Sequence, residues 1–353
     1  ITPGTVTDPM SGGVINPIST YPYPDFKPEL TKSYEVGINA RFLNGRISFD
    51  GTFYQSNTYN QTFLSVMSPA TGYSGFYVQA GNVRNRGVEM TLGYNDTFGK
   101  VNYSTHLTYT ANQNKIVEMV HDYRNPIDNS LVNITELTLK EVGDVYLREG
   151  YSMSDVFTTG ILQRGRDGKL VEEGNGYQVD RSQRIRLGSA DPDFTMGWRH
   201  DINYKNISLG LMITGRFGGI VTSQTQAFMD AFGVSKVSAE ARDNGGVMLD
   251  GHRYDAERYY NTVGGQGLMS YYTYDATNVR LQELSLTYSL PKKWLGDVFN
   301  NATISFVGRN LFMFYRKAPF DPDMNGSTGT YNRSDFFMAP SLRNLGFSIK
   351  FSL

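Results

Sequence analysis

The stretch KSYEVGINARFLNGRISFDGTF (Lys32–Phe53) decides the fold. In its first half Tyr34, Val36, Ile38, Ala40 and Phe42 alternate with Ser33, Glu35, Gly37, Asn39 and Arg41. That two-residue period is a β-strand with one apolar and one polar face. Leu43-Asn44-Gly45 interrupts it, and Asn-Gly is a strong hairpin signal because both residues tolerate positive φ. The alternation then resumes, with Ile47, Phe49, Gly51 and Phe53 against Arg46, Ser48, Asp50 and Thr52.

The same pattern recurs along the chain. Val88, Met90, Leu92 and Tyr94 oppose Gly87, Glu89, Thr91 and Gly93, and a short Asn95–Lys100 turn leads into Val101–Tyr109. Met196–Tyr204 and Ile207–Ile213 flank a tight Lys205-Asn206 turn. In Asn278–Leu290 the phase changes from Val279 and Leu281 to Leu284, Leu286 and Tyr288, which implies a β-bulge near Gln282 and Glu283. Asn301–Phe314 and the closing GFSIKFSL complete nine strands. A strand of about 11 residues at ~3.3 Å, tilted about 45°, covers the ~25 Å apolar band of a membrane barrel.

The connections are asymmetric. Short turns follow the odd-numbered strands, whereas long polar loops follow the even ones, at about 60–81, 112–192, 218–277 and 316–340. A soluble sandwich has no reason to collect its long loops at one end; an outer-membrane barrel has short periplasmic turns and long extracellular loops. The expected fold is therefore all-β, a transmembrane antiparallel β-barrel. Residues 1–31, with six prolines, read as an extracellular loop segment, and 32–353 as barrel wall. Nine strands are an odd number and would leave unpaired edges in lipid, so the remaining strands are expected in a partner segment.

Composition sets outer limits. The 353 residues carry a net charge of −1, which gives no electrostatic case for nucleic acid, and no cysteine, which removes disulfides and thiolate chemistry. The 24 Tyr, 21 Phe and 37 Gly suit either a soluble β-protein or a barrel. Mean hydropathy is −0.39, yet barrels evade hydropathy scans because their strands average out polar.

PDFKPELTKSYEVGINARFLNGRISFDGTFYQSNTYNQ (Pro24–Gln61) and AGNVRNRGVEMTL (Ala80–Leu92) resemble blocks of the SusC/RagA-like TonB-dependent transporters of Bacteroidota. NVRLQELSLTYSLPKKWL (Asn278–Leu295) and VGRNLFMF with FDPDMNG (Val307–Gly326) are similar to that family's C-terminal blocks. The resemblance spans nearly the whole chain in the family order, departing at the end, where the family closes on Phe and this chain has Leu353. It implies a barrel of about 22 strands, of which these are the last nine. The N-terminal barrel with its plug, which bears the TonB contact, lies outside this sequence. A SusD-like surface lipoprotein is the implied partner, and oligosaccharides or oligopeptides are the implied cargo. The location is then the Gram-negative outer membrane. The alternative is a passive porin-like or scaffold barrel.

Candidate chemistry is sparse. The histidines His106, His121, His200 and His252 lack a metalloprotease spacing, and His200 and Asp201 point to opposite faces of a strand, so no enzyme activity and no cofactor are expected. Asp321, Asp323 and Asn325 copy the start of a calcium loop, but position twelve is Asn332, so a structural turn is the favoured reading. RGRDGK (Arg164–Lys169) reads as a hairpin turn. Glu35, Arg41, Asp50, Glu89, Arg199, Asp201, Arg216, Arg280 and Arg309 would face the lumen, to line a substrate path or to solvate the wall and bind the plug. Tyr259, Tyr260, Tyr271, Tyr272 and Tyr274 are candidates for stacking on cargo, with loop-on-loop packing or contact with the lipoprotein as alternatives. Phe347, Ile349, Phe351 and Leu353 look like the C-terminal signal for outer-membrane insertion.

Overall fold

Among the described residues nine strands form one path in the order that the alternation implies; outside it, the eleven-residue strand Val179–Ser189 pairs with Asp155–Leu162 in the expected 112–192 loop. The nine are β1 (Leu30–Phe42), β2 (Ile47–Val66), β3 (Gly75–Phe98), β4 (Val101–Glu118), β5 (Phe194–Tyr204), β6 (Ile207–Phe217), β7 (Asn278–Ser289), β8 (Asn301–Arg316) and β9 (Asn344–Ser352). Each bonds to its neighbours in sequence, so one path runs from β1 to β9. The pairings from β4 through β9 are antiparallel. The computed structural model describes residues 6–7, 14–15, 20–21, 26–66, 73–124, 130–139, 145–296, 299–323 and 334–352.

The local signals act as chemistry requires. Leu43, Asn44 and Gly45 all adopt positive φ (54°, 55° and 86°), reversing the chain between β1 and β2. Lys205 does so between β5 and β6, at 52°. Opposite β6, Met212 pairs with Glu283 and Ile213 with Leu281, so Gln282 is the extra residue of a bulge. That bulge moves Glu283 onto the polar face beside Met212 and keeps Leu281 and Leu284 apolar-side.

Two expectations are corrected. The Asn95–Lys100 segment is mostly strand: β3 runs to Phe98 and only Gly99 (φ 62°) and Lys100 turn. Thr97 donates to Asn102 at 2.9 Å, an interaction that ties the prolonged strand ends together. At the opposite end β2, β3 and β4 reach 20, 24 and 18 residues, continuing well past the expected loop starts. Polar alternation in a strand above a bilayer looks like loop in sequence.

The chain forms two compact units. One comprises Ile1–Glu35, Tyr54–Arg86 and Gln113–Val156; the other comprises Val36–Phe53, Gly87–Asn112 and Phe157–Leu353. The first has its own core, with Val78, Val83, Ile116, Met119 and Leu147 buried. There Gln79 replaces a missing backbone partner: its side chain accepts from Lys27 N–H at 2.9 Å and donates to Lys27 carbonyl at 2.7 Å. Within the expected loop segment 1–31, Val6–Thr7 pairs with Val14–Ile15 and Thr20–Tyr21 runs parallel to Gly75–Phe76; most of its remainder lies outside the described residues.

The second unit holds the wall and a folded loop lobe. Its apolar strand faces are exposed: Val36 is 70% accessible, Ile38 63% and Phe347 68%. Contiguous apolar exposure on this scale is not tolerated in water, but it is what the lipid side of a barrel presents. No helix among the described residues is long and apolar enough to cross a membrane.

The expected 218–277 loop instead carries, among short strands, three short helices: α1 (Gln224–Ala231), α2 (Lys236–Asp243) and α3 (Ala256–Val263). Ser223, Ser235 and Asp255 cap them, accepting from the N–H of Gln226, Ser238 and Arg258. Each satisfies donors that a helix start leaves open.

Candidate functional site

The polar strand face of the second unit carries a connected row of charges. Arg199 on β5 forks onto Asp201, two residues along the same strand and face, with Nε to Oδ2 at 2.8 Å and Nη2 to Oδ1 at 2.9 Å. Arg199 Nη1 also approaches Glu283 Oε1 on β7 at 3.9 Å. Glu283 in turn accepts from Arg309 Nε on β8 at 3.0 Å. The intervening strand β6 offers Gly210, where a Cβ would meet Ser285 Oγ and stand 3.3 Å from Asp201 Oδ1. Glycine there lets the Arg199–Asp201 fork lie across the strand. The row runs Asp201, Arg199, Glu283, Arg309, alternating in sign, and half of each arginine stays open to solvent. Glu283 was absent from the expected inward set; its place follows from the bulge.

The other inward candidates are dispersed. Glu35, Arg41, Asp50 and Glu89 are exposed, and Asp50 accepts from Asn39 at 2.8 Å. Arg216 is half-buried and donates to the carbonyl of Ala190 at 2.6 Å. Arg280 corrects the expectation of an open lumenal charge: it is 4% exposed. Its Nη2 bonds Asp321 Oδ1 at 2.9 Å and Asp323 Oδ2 at 2.7 Å, while Nε and Nη1 reach Asn278 and Asn310.

This clasp also accounts for the aspartates of the DPD step. Both carboxylates converge on a guanidinium rather than leaving their oxygens to a cation, and Asn325 lies outside the described residues. Among the described residues no cluster of metal-ligating side chains forms. Burial alone would push Asp321 up, but hydrogen bonds from Ser341 and the Asp323 N–H, with the Arg280 charge, hold it below the usual carboxylate range. Nearby, Lys317 Nζ meets Asp275 Oδ2 at 2.7 Å. Burial opposes ionisation of Asp275 too, and Lys317 and Thr277 overcome it.

The five candidate tyrosines build the loop lobe. Tyr259, Tyr260 and Tyr272 are buried with Leu162, Leu170, Tyr177, Val263 and Leu268; Tyr271 and Tyr274 pack at the edge. Tyr271 Oη accepts from Leu162 N–H at 3.1 Å, and Tyr254 Oη from Leu170 N–H at 3.1 Å. Phenol hydroxyls thus satisfy main-chain donors that the loops leave unpaired. Burial raises Tyr259 and Tyr272 well above the usual phenol range, and Tyr274 to about 12, so all three stay neutral. The packing is loop on loop, one of the alternatives left open by the sequence. Gly264, just past α3, lies so close to α1 that a Cβ would strike Ala227 O and Tyr260 O.

His200 and Asp201 are on opposite faces, as the strand period requires; His200 Nδ1 bonds Tyr103 Oη at 2.8 Å, away from the charged row. RGRDGK closes a turn through Gly165 N–H to Lys169 carbonyl at 2.8 Å. On β9, Phe347, Ile349 and Phe351 are exposed on one face; Leu353 lies outside the described residues.

Comparison with known proteins places this architecture. The sequence model of the family described as "TonB dependent receptor-like, beta-barrel" matches residues 3–214. TonB-dependent receptor P3 of Formosa agariphila is 25% identical over 98% of the chain, and TonB-dependent receptor P26 of the same organism is 25% identical over 85%. The chain spans 36% and 32% of the lengths of these two relatives. Among solved structures, one of the RagAB peptide transporter superposes with a TM-score of 0.68 at 16% identity, covering 99% of this chain and 37% of that one. The RagAB peptide importer in its open-open state gives 0.67 at 18% identity, with 99% and 37% covered.

Proposed function

Because the chain belongs to the TonB-dependent receptor β-barrel family, a family of outer-membrane proteins rather than enzymes, we propose that it forms a C-terminal portion of the wall of a nutrient importer. The observation that carries this reading is the two-sided wall. One strand face is apolar and exposed and the other carries the Asp201–Arg199–Glu283–Arg309 row; in this reading the first meets lipid and the second lines the lumen. In this reading cargo, an oligosaccharide or oligopeptide, is held outside between the loop lobe and a SusD-like lipoprotein. It enters when TonB remodels a plug carried by the rest of the barrel.

The alternating row suits that task. Ionic partners half-open to water exchange readily, so a plug can dock on them and leave without uncovering a buried charge. Tyr271 and Tyr274, half-buried, are the two candidate rings with surface left to offer cargo. The buried three support the lobe that would position them.

The test is purification of the full-length protein from outer membranes in detergent, followed by uptake of labelled peptides and glycans. Copurification of a surface lipoprotein, with uptake that stops when TonB is deleted, supports the reading. Steady single-channel conductance in planar bilayers, independent of TonB, would establish a passive channel and overturn it.

A further inference from the structure

The outer ends of β1 to β4, all within the first unit, present four cations on one face. Lys32 lies on β1, Arg84 and Arg86 on β3, and Lys115 on β4. Contacts establish that they share that face. Lys32 Nζ stands 5.6 Å from the ring centre of Tyr59 on β2, while Thr31 and Thr58 meet on the opposite face at 3.1 Å. Arg86 Nε donates to Gln113 Oε1 at 2.8 Å, while Asn85 and Asn114 meet on the other face at 2.9 Å. The register set by those two contacts places Arg84 directly opposite Lys115.

Two like charges opposite each other on adjacent strands repel and destabilise the pair, with Cβ atoms only about 5 Å apart. Among the described residues no carboxylate lies within ion-pair distance of any of the four cations. The alternation also leaves no acidic side chain on this face at these strand ends. Around the cations stand carboxamides with spare N–H donors: Asn57 donates to Asn82 at 2.8 Å, and Gln55 and Gln113 flank them. Arginine forks match phosphate oxygens in pairs, and carboxamides donate to the remainder.

Their height on the strand names the ligand. The next residues on the same face are Val88 and Met90 after Arg86, and Tyr34 and Val36 after Lys32, the start of the apolar band. Cations at the margin of an apolar band, with Tyr34 between Lys32 and Val36, stand at headgroup level. We propose that Lys32, Arg84, Arg86 and Lys115 form a binding strip for the phosphate groups of an outer-leaflet lipid, one lipid headgroup bridging Arg84 and Lys115. The strip rests on the outer-membrane reading above.

The experiment uses the full-length protein in detergent, with native mass spectrometry of retained lipid. Titration follows with phosphatidylethanolamine vesicles containing either a phosphorylated glycolipid or its dephosphorylated form. The wild type should retain the phosphorylated lipid, and each cation removed should weaken binding about fivefold. Arg84→Gln with Lys115→Gln should therefore weaken it about thirtyfold, and Lys32→Gln alone about fivefold. Heat-modifiable gel mobility checks that each variant is a folded barrel, and Lys32→Gln serves if the double variant is not. Equal affinity for the dephosphorylated lipid, unchanged binding in the folded variants, inorganic phosphate binding as tightly as the lipid, or an acidic protein retained in place of lipid would each overturn the strip. A wild-type protein that never enters outer membranes would instead sink the reading on which it rests.

Discussion

Arg280 is the residue whose removal separates a structural clasp from a lumenal charge most sharply. Its side chain is 5% exposed, that of Asp321 12% and that of Asp323 41%. Arg280→Met keeps the volume and removes the cation. Breaking a buried pair typically costs about 3–5 kcal/mol because the surviving charge is stranded. The lower end applies here, because Asp321 keeps the N–H of Asp323 at 3.1 Å and Asp323 keeps water. A loss of about 3 kcal/mol raises the open population of the segment after β8 roughly a hundredfold. Trypsin cleavage at Lys317 and Arg343 in the detergent-purified full-length protein should accelerate accordingly, in the regime where cleavage follows opening. The pH dependence gives the sign. Asp321 is held below its ordinary value, so in the wild type the clasp contributes fully above an unfolded carboxylate pKa of about 3.9. That contribution disappears as pH falls through the lower folded value. In Arg280→Met the guanidinium's share of that lowering is gone while the bonds from Ser341 and the Asp323 N–H remain, so less protection should be left to lose on acidification than in the wild type, monitored with pepsin. Adding Asp321→Asn to the variant should recover much of the loss at pH 7. Cleavage of Arg280→Met within twofold of wild type at pH 7 would refute the clasp.

Three further outcomes follow from the same geometry. Phe347→Arg, at the centre of β9 and opposite Phe306, should destabilise the wall by about 2–4 kcal/mol if it sits at bilayer mid-depth, read as a lower heat-modifiable fraction; unchanged assembly would show that the face does not meet lipid. Glu283→Gln leaves Arg199 and Arg309, 45% and 64% exposed, without their shared carboxylate. Stability should change by less than about 1 kcal/mol, whereas the ion selectivity of the plug-deleted barrel should move toward anions in reversal-potential measurements. Gly264→Ala drives a methyl into Ala227 and Tyr260 main chain, so α1 and α3 must part; a cost of about 1–3 kcal/mol confined to the lobe should appear as faster amide exchange around Leu268.

Strand periodicity was readable wherever one face had to be apolar, because a slip by one residue would turn every apolar side chain of β5 or β6 away from lipid. The bulge at Gln282 was readable for the same reason: the phase of Leu281 and Leu284 cannot otherwise be reconciled. Where the strands leave the bilayer that constraint lapses, which is why β2 from Asn60 to Val66 passed for loop. The helices were missed although their caps stood in the sequence. Ser223, Ser235 and Asp255 each precede a helix of eight residues, too short for the apolar period to rise above the surrounding polar composition.

The tyrosines mark the limit most clearly. Residue type alone suggested rings for stacking on cargo, yet the deciding quantity was how many loop N–H groups lacked a partner, and that is set by the path of Leu162 and Leu170 in space. Arg280 is the same case in charge. An inward arginine on β7 reads as solvent-facing until two aspartates from beyond β8 fold over it. The candidate site is therefore built from what the alternation places on one face and what distant loops then cover. The strand period supplies the first, while only the folded loops decide which charges remain available to a plug or to cargo.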